Sequence, residues 1–165
     1  MAAATGCATL PSDPVLPITA PPPPPQYLPV EARWCVPQGC FELEVPRTQA
    51  QQQRGLMQRP ALGPWQGMWF RYDPPAQVGV WMHQCIAPLD LVFLRQGRIA
   101  AISADVPPCP RLPCPVVYSP GTIDGFLELR AGRARELGLR VGDPAAPALD
   151  SAAPAASPRP GARRD

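Results

Sequence analysis

Apolar and polar positions alternate along Phe41-Glu42-Leu43-Glu44-Val45, the period of a strand with one buried face. Pro46 ends it. Thr48 and Gln51 then have the spacing of a capping box, which predicts a helix from Gln49 to Met57 with Gly55 marking its end. Ala50, Leu56 and Met57 are its only apolar residues, so only its last turn is expected to be deeply buried. Gly67 to Tyr72 is the next predicted strand, with a turn at Asp73-Pro74-Pro75. Gly79 to Met82 is another, and Pro88 separates it from Leu89 to Leu94. Gln96-Gly97 is a tight turn, so Leu89–Leu94 and Arg98–Ser103 are expected to form a hairpin. Gly125 to Leu129 predicts a strand, Ala131 to Leu137 a short helix closed by Gly138, and Leu139 to Val141 a last strand before a Gly142-Asp143 turn. About seven short strands and two short helices result, without the βα alternation of a doubly wound sheet. The expected fold is α+β and strand-dominated: a compact barrel-like sheet with the helices on its rim.

Proline bounds that unit. Nine prolines fall in residues 1–30, including Pro21 to Pro25, and five more in residues 144–165 among Ala, Ser and Arg. Neither end carries an apolar period, so neither buries enough surface to offset its ordering entropy. Both are expected to be disordered, with the proline run a stiff spacer of about 3 Å per residue. The folded domain is expected over residues 31–143.

Net charge is +2, and the basic residues are scattered, which excludes a nucleic-acid footprint. All 15 basic residues are arginine. The use of arginine for anion recognition is one explanation; a GC-rich coding sequence is the simpler one, and it also accounts for the excess of Ala, Pro and Gly. Arg159, Arg163 and Arg164 alone cluster, in the solvated tail.

Cysteine usage bears on compartment. Cys35 and Cys40, and again Cys109 and Cys114, stand five apart with proline or polar turn residues between them. Two local disulfides are expected, each contributing about 2 kcal/mol, in an exported protein. A four-thiolate metal site is the rival, but its usual pairs have two residues between the cysteines rather than four. Cys7 follows Ala4-Thr5-Gly6, like the end of a bacterial lipoprotein leader. The six residues before it are too few for an apolar leader segment. A start upstream of Met1 would supply one; residues 8–30 would then tether a lipidated Cys7, the only membrane link expected. If Met1 is the start, the protein is cytoplasmic.

Several motifs occur in order: Gln53 to Arg59 (QRGLMQR), Gly67-Met68-Trp69-Phe70, Trp81-Met82, Pro88-Leu89-Asp90 with Val92-Phe93-Leu94, Pro107-Pro108-Cys109 to Cys114-Pro115, Leu127-Glu128-Leu129, and Gly138 to Asp143. Together they resemble the family called domain of unknown function 192, or uncharacterised protein family 0127, over about residues 40–143. The proline-flanked cysteines are similar to those of cyanobacterial and proteobacterial members, many of which carry export signals. The resemblance implies a small β-rich fold; it does not imply an activity, because the family has no established one. Similar members usually have Lys-Asn-Thr or a close variant after Trp-Met. This chain has His83, Gln84 and Cys85, so His83 and Cys85 are not a family-wide catalytic pair.

The candidate chemistry is concentrated between Trp81 and Cys114. Cys85 beside His83 could form a thiolate nucleophile, but on a strand both would share a face with no third group to orient the imidazole. Met57, Met68, Met82, His83 and Cys85 could bind Cu(I), although methionine is also ordinary core filler. The chain lacks G-x-S-x-G, H-E-x-x-H, phosphate-loop and dinucleotide motifs. No catalytic residue, metal or cofactor is therefore assigned. The expected function is a non-enzymatic, exported module binding a small molecule or an envelope protein, in a cleft lined by Arg54, Met57, Arg59, Trp81, Met82, Asp90 and Tyr118. The alternatives are a thiol- or metal-dependent envelope enzyme using Cys85 with His83 or the Cys109/Cys114 pair, and an assembly factor acting through its proline-rich arms.

Overall fold

The computed structural model describes residues 21–22 and 24–150. Cys7 and the arginines of the tail lie outside the described residues, as do most of both proline-rich ends. The strand expected at Phe41–Val45 forms as β2 (Gly39–Glu44), and it pairs antiparallel with a strand that was not expected, β1 (Val30–Val36), with Cys35 opposite Cys40. Helix α1 (Gln49–Arg54) follows. Its N-terminus is the expected capping box: Thr48 Oγ1 accepts from Gln51 N–H, and Gln51 Oε1 accepts from Thr48 N–H. The chain continues through β3 (Gln66–Ala76), β4 (Gly79–Trp81), β5 (Leu89–Arg95), β6 (Arg98–Val106), β7 (Val116–Tyr118), β8 (Ile123–Arg130), α2 (Arg133–Glu136) and β9 (Ala148–Leu149). The expected hairpin forms between β5 and β6, with both turn residues, Gln96 and Gly97, at positive φ.

Seven strands make one mixed sheet in the order β6-β5-β8-β3-β2-β1-β9, and β4 with β7 makes a separate two-stranded ribbon. All neighbours in the large sheet are antiparallel except β2 and β3. The expected barrel is not what forms. Closure would need β6 to pair with the β9 edge. The segment entering that gap contains Pro144 and Pro147, which have no N–H to donate. One bridge, Arg98 to Pro144, is made there and the sheet stays open.

Two further expectations are corrected. Asp73-Pro74-Pro75 is not a turn; it lies within β3, where pairing to β8 breaks after Arg71 and resumes at Ala76, as proline in a sheet requires an irregularity. Leu139 to Val141 is not a strand. Arg140 N–H donates to Asp143 Oδ2 and Asp143 N–H donates to Arg140 O, so a turn takes the backbone groups a ladder would use.

Both faces of the central strands are buried. Along β5, Leu89, Leu91 and Phe93 enter one apolar cluster with Met68, Phe70, Met82 and Phe126. Val92 and Leu94 enter a second with Trp34, Phe41, Leu43, Leu127 and Leu129. Helix α1 and the β4–β7 ribbon lie on the side of the first cluster.

Candidate functional site

A cleft of about 320 Å³ opens between α1 and the end of β4. Gln49, Gln52, Gln53 and Arg54 of α1 form one rim. Trp81 and His83 form the other, their rings 5.3 Å apart. Phe70 and Tyr72 of β3 and Phe126 and Glu128 of β8 form the floor, with Cys85 beside them. Phe70 and Phe126 are stacked at 4.4 Å.

Glu128 is the chemically distinctive group. It sits in an all-buried run, Phe126-Leu127-Glu128-Leu129, and is 5% exposed. Its Oε2 is buried and has no hydrogen-bond partner. Burial alone pushes its carboxyl up to about 8, since an apolar wall disfavours the charged form. Two neighbours respond. Burial first, and the Glu128 charge second, raise the Tyr72 hydroxyl and push the Cys85 thiol up to about 12. Cys85 is therefore a protonated thiol at neutral pH, the opposite of what a nucleophile needs.

The wall carrying Cys85 is a stitched turn, not the strand expected there. Gln84 takes a positive φ of 57°. Cys85 N–H donates to Met82 O, Gln84 N–H to Cys109 O, and Cys109 N–H to Met82 O. Cys109 is bonded to Cys114, as Cys35 is to Cys40, so the proline-rich disulfide loop supports this side of the cleft. Gly55 shapes the other side. Its φ of 45° favours glycine, and the point where a Cβ would stand lies 3.8 Å from Glu128 Oε2.

Of the residues the sequence singled out, Arg54, Met57 and Trp81 line this cleft, joined by His83 and Cys85. The others are placed elsewhere. Met82 is core. Arg59 is buried in an ion pair with Glu44 at 2.7 Å, with Tyr27 stacked over its guanidinium. Tyr118 is 69% exposed on the ribbon. Asp90 is fully buried and accepts from the N–H groups of Asp105, Gly132 and Ala134. It caps α2, whose own N-cap is Gly132 with no side chain to do so. Glu128 was missed as a site residue. Its signal was present: one acid in a strand whose neighbours are apolar on both sides, where alternation fails. Among the described residues no group of three or more His, Cys, Asp or Glu could hold a metal ion.

An open mixed sheet buried on both faces, with one acid-floored cleft beside a short helix, defines a small α+β domain. The chain belongs to the DUF192 family, an uncharacterized ACR, whose model matches residues 34–146. It is similar to a solved protein of Novosphingobium aromaticivorans of unknown function, at 30% identity and a TM-score of 0.62, covering 76% of this chain and 92% of that one. It is also similar to one from Sinorhizobium meliloti described as a "putative transcription regulator", at 27% identity and a TM-score of 0.62, covering 72% and 92%. No curated protein matches the chain.

Proposed function

We propose that the protein is a non-enzymatic, small-molecule-binding module of the cell envelope, with its ligand seated between α1 and Trp81 on the floor made by Glu128. The observation that carries this reading is the unpartnered, fully buried Oε2 of Glu128 at the base of an open cleft. A buried acceptor without a donor costs about 1–3 kcal/mol, and a ligand donor would remove that cost. Aromatic walls with a few convergent polar groups are the usual composition of such sites. The two disulfides support an oxidising compartment, and a lipid anchor at Cys7 would hold the domain at a membrane. Among the described residues no helix is long and apolar enough to cross one. The raised Cys85 thiol argues against the thiol-enzyme alternative. The scattered arginines give no support to carrying over a regulatory role on nucleic acid.

A thermal-shift screen with small polar and aromatic compounds tests the reading. At least one compound is expected to stabilise the wild type, with the shift lost in Glu128→Gln and Trp81→Ala and kept in Tyr118→Ala, which lies off the cleft. No shift with any compound, or shifts indifferent to Glu128→Gln, would refute it.

A further inference from the structure

We infer that the cleft takes a small organic monocation bearing N–H donors, a protonated amine whose ammonium group docks between Glu128 Oε2 and Gln52 O with its carbon skeleton against Phe70 and Phe126. This deepens the small-molecule reading and rests on it.

Of the polar atoms lining the cleft, the buried one left without a partner is an acceptor, Glu128 Oε2, while the donors of Arg54 and of the α1 glutamines stand at the rim. Glu128 Oε2 has no donor. The C-terminal end of α1 turns back at Gly55, whose N–H bonds to Gln51 O, and Gln52 O accepts no hydrogen bond among the described residues. The point where a Cβ on Gly55 would stand lies 3.8 Å from Gln52 O, 3.8 Å from Glu128 Oε2 and 3.4 Å from the Phe70 ring. Two acceptors and an aromatic carbon thus lie around Gly55 at the edge of the cleft. Acceptors call for donors. An aromatic face carries partial negative charge and attracts a cation. An anion could be met by Arg54 at the rim but not at the floor, where Glu128 stands.

A metal ion does not fit, because hard cations take six or more oxygen ligands and one carboxyl faces this space. The charged and titratable groups around Glu128 narrow the ligand further. Helix α1 presents Arg54 at the rim, β3 presents Tyr72, and the turn after β4 presents Cys85 with His83 at the rim. From β5 the residue paired with Glu128 is apolar Leu91. Tyr72 and Cys85 keep their protons at neutral pH and so add no negative charge. Glu128 supplies one charge, and Arg54 opposes a second positive centre, which favours a monocation over a polyamine.

Docking an ammonium group requires the ionised carboxyl. Burial holds Glu128 at about 8, so below that pH the ligand must displace a proton. Affinity then rises about tenfold per pH unit towards pH 8 and levels off above it, while the amine itself stays protonated to about pH 10.

Amide-resolved NMR titrations of the oxidised full chain at pH 6, 7 and 8 test this with three probes: n-butylamine, its uncharged analogue 1-butanol, and tetramethylammonium, a cation without N–H. Expected are shifts at Gly55, Cys85 and Glu128 with n-butylamine and a dissociation constant falling about 50-fold from pH 6 to 8. 1-Butanol is expected to show no such trend, and tetramethylammonium to bind at least about tenfold more weakly at pH 8. Glu128→Gln, close in shape to the protonated side chain, is expected to keep the folded spectrum and lose both the n-butylamine affinity and its pH dependence. Equal binding of n-butylamine and 1-butanol at pH 8, or unchanged n-butylamine binding in Glu128→Gln, would overturn the cation assignment. Equal binding of tetramethylammonium would overturn the N–H requirement. If 1-butanol alone shifts the cleft residues, the small-molecule reading survives and the cation assignment fails. If no probe shifts them, and the screen above is also empty, both fail.

Discussion

Replacing Glu128 by glutamine separates the charge of this side chain from its shape, and the effect on folding can be worked out. Burial moves the carboxyl from 4.5 to about 8. Between those values the folded chain holds a proton that the unfolded chain has released. Folding therefore takes up a proton, and raising the pH works against it. The group contributes no penalty below pH 4.5. Stability then falls by about 1.4 kcal/mol per pH unit and stops falling above pH 8. Over the three units from pH 5 to 8 the loss assigned to Glu128 is about 4 kcal/mol, a large part of the 5–15 kcal/mol typical of a domain. Glutamine does not ionise, so Glu128→Gln is expected to match the wild type near pH 5 and to be more stable by about 3–4 kcal/mol at pH 8. Urea unfolding of both proteins at each pH, without reductant, measures the difference, and the other carboxyl groups cancel in the comparison. A difference constant within about 0.5 kcal/mol from pH 5 to 8 would show that Glu128 is not the desolvated group described here.

Asp90→Ala removes the acceptor for three buried or half-buried backbone N–H groups and is expected to destabilise by about 3 kcal/mol or more in urea unfolding, with Asp90→Asn costing less. With Cys7 replaced by serine, Cys85 is the remaining thiol when both disulfides are formed; at pH 8, four units below its value of about 12, alkylation is expected to run at least about 1,000-fold slower than for an exposed cysteine in the unfolded chain. Serine at both Cys109 and Cys114 is expected to speed that alkylation severalfold, because the loop pinning Gln84 is released. Serine at both Cys35 and Cys40, beside the second apolar cluster, is expected to leave the rate unchanged and to lower stability by about 2 kcal/mol.

Local chemistry was legible in the sequence where residues close in the chain do the work. The Thr48–Gln51 box and the Gln96-Gly97 hairpin each depend on a few adjacent residues, and both form as expected. The proline-flanked cysteine pairs are also local, and their sulfurs meet. Architecture was harder. Nothing near Val116 distinguishes a strand from a loop, and β7 exists because β4 offers a partner; β1 did carry a signal, Val30, Ala32, Trp34 and Val36 alternating with Glu31, Arg33 and Cys35, that went unread. The open edge depends on prolines at 144 and 147, far in sequence from the strand they fail to complete. The cleft is assembled from residues 49–57, 70–72, 79–85 and 126–128, so its membership depends on strand order. That is why Tyr118 and Asp90, plausible from their neighbours, stand apart from Trp81.

The contrast between the two buried acids bears on what the cleft is for. They lie on neighbouring strands, one register position apart. Asp90 pairs with Leu129 and Leu91 pairs with Glu128, so the two carboxyl groups leave opposite faces of one sheet. On one face the fold supplies three N–H donors to Asp90 and gains a helix cap. On the other it supplies no donor to Glu128 Oε2, although α1 ends directly above it. That end presents a carbonyl and a glycine instead of a donor or a filling side chain. A leucine at 128 would continue the apolar floor and remove both the unmet acceptor and the desolvated charge, a change that is often neutral or stabilising in a buried site. An acid is therefore a poor choice at this position for folding alone. Asp90 is explained by the structure it holds; Glu128 Oε2 has no partner among the described residues, and the ligand proposed above would supply one.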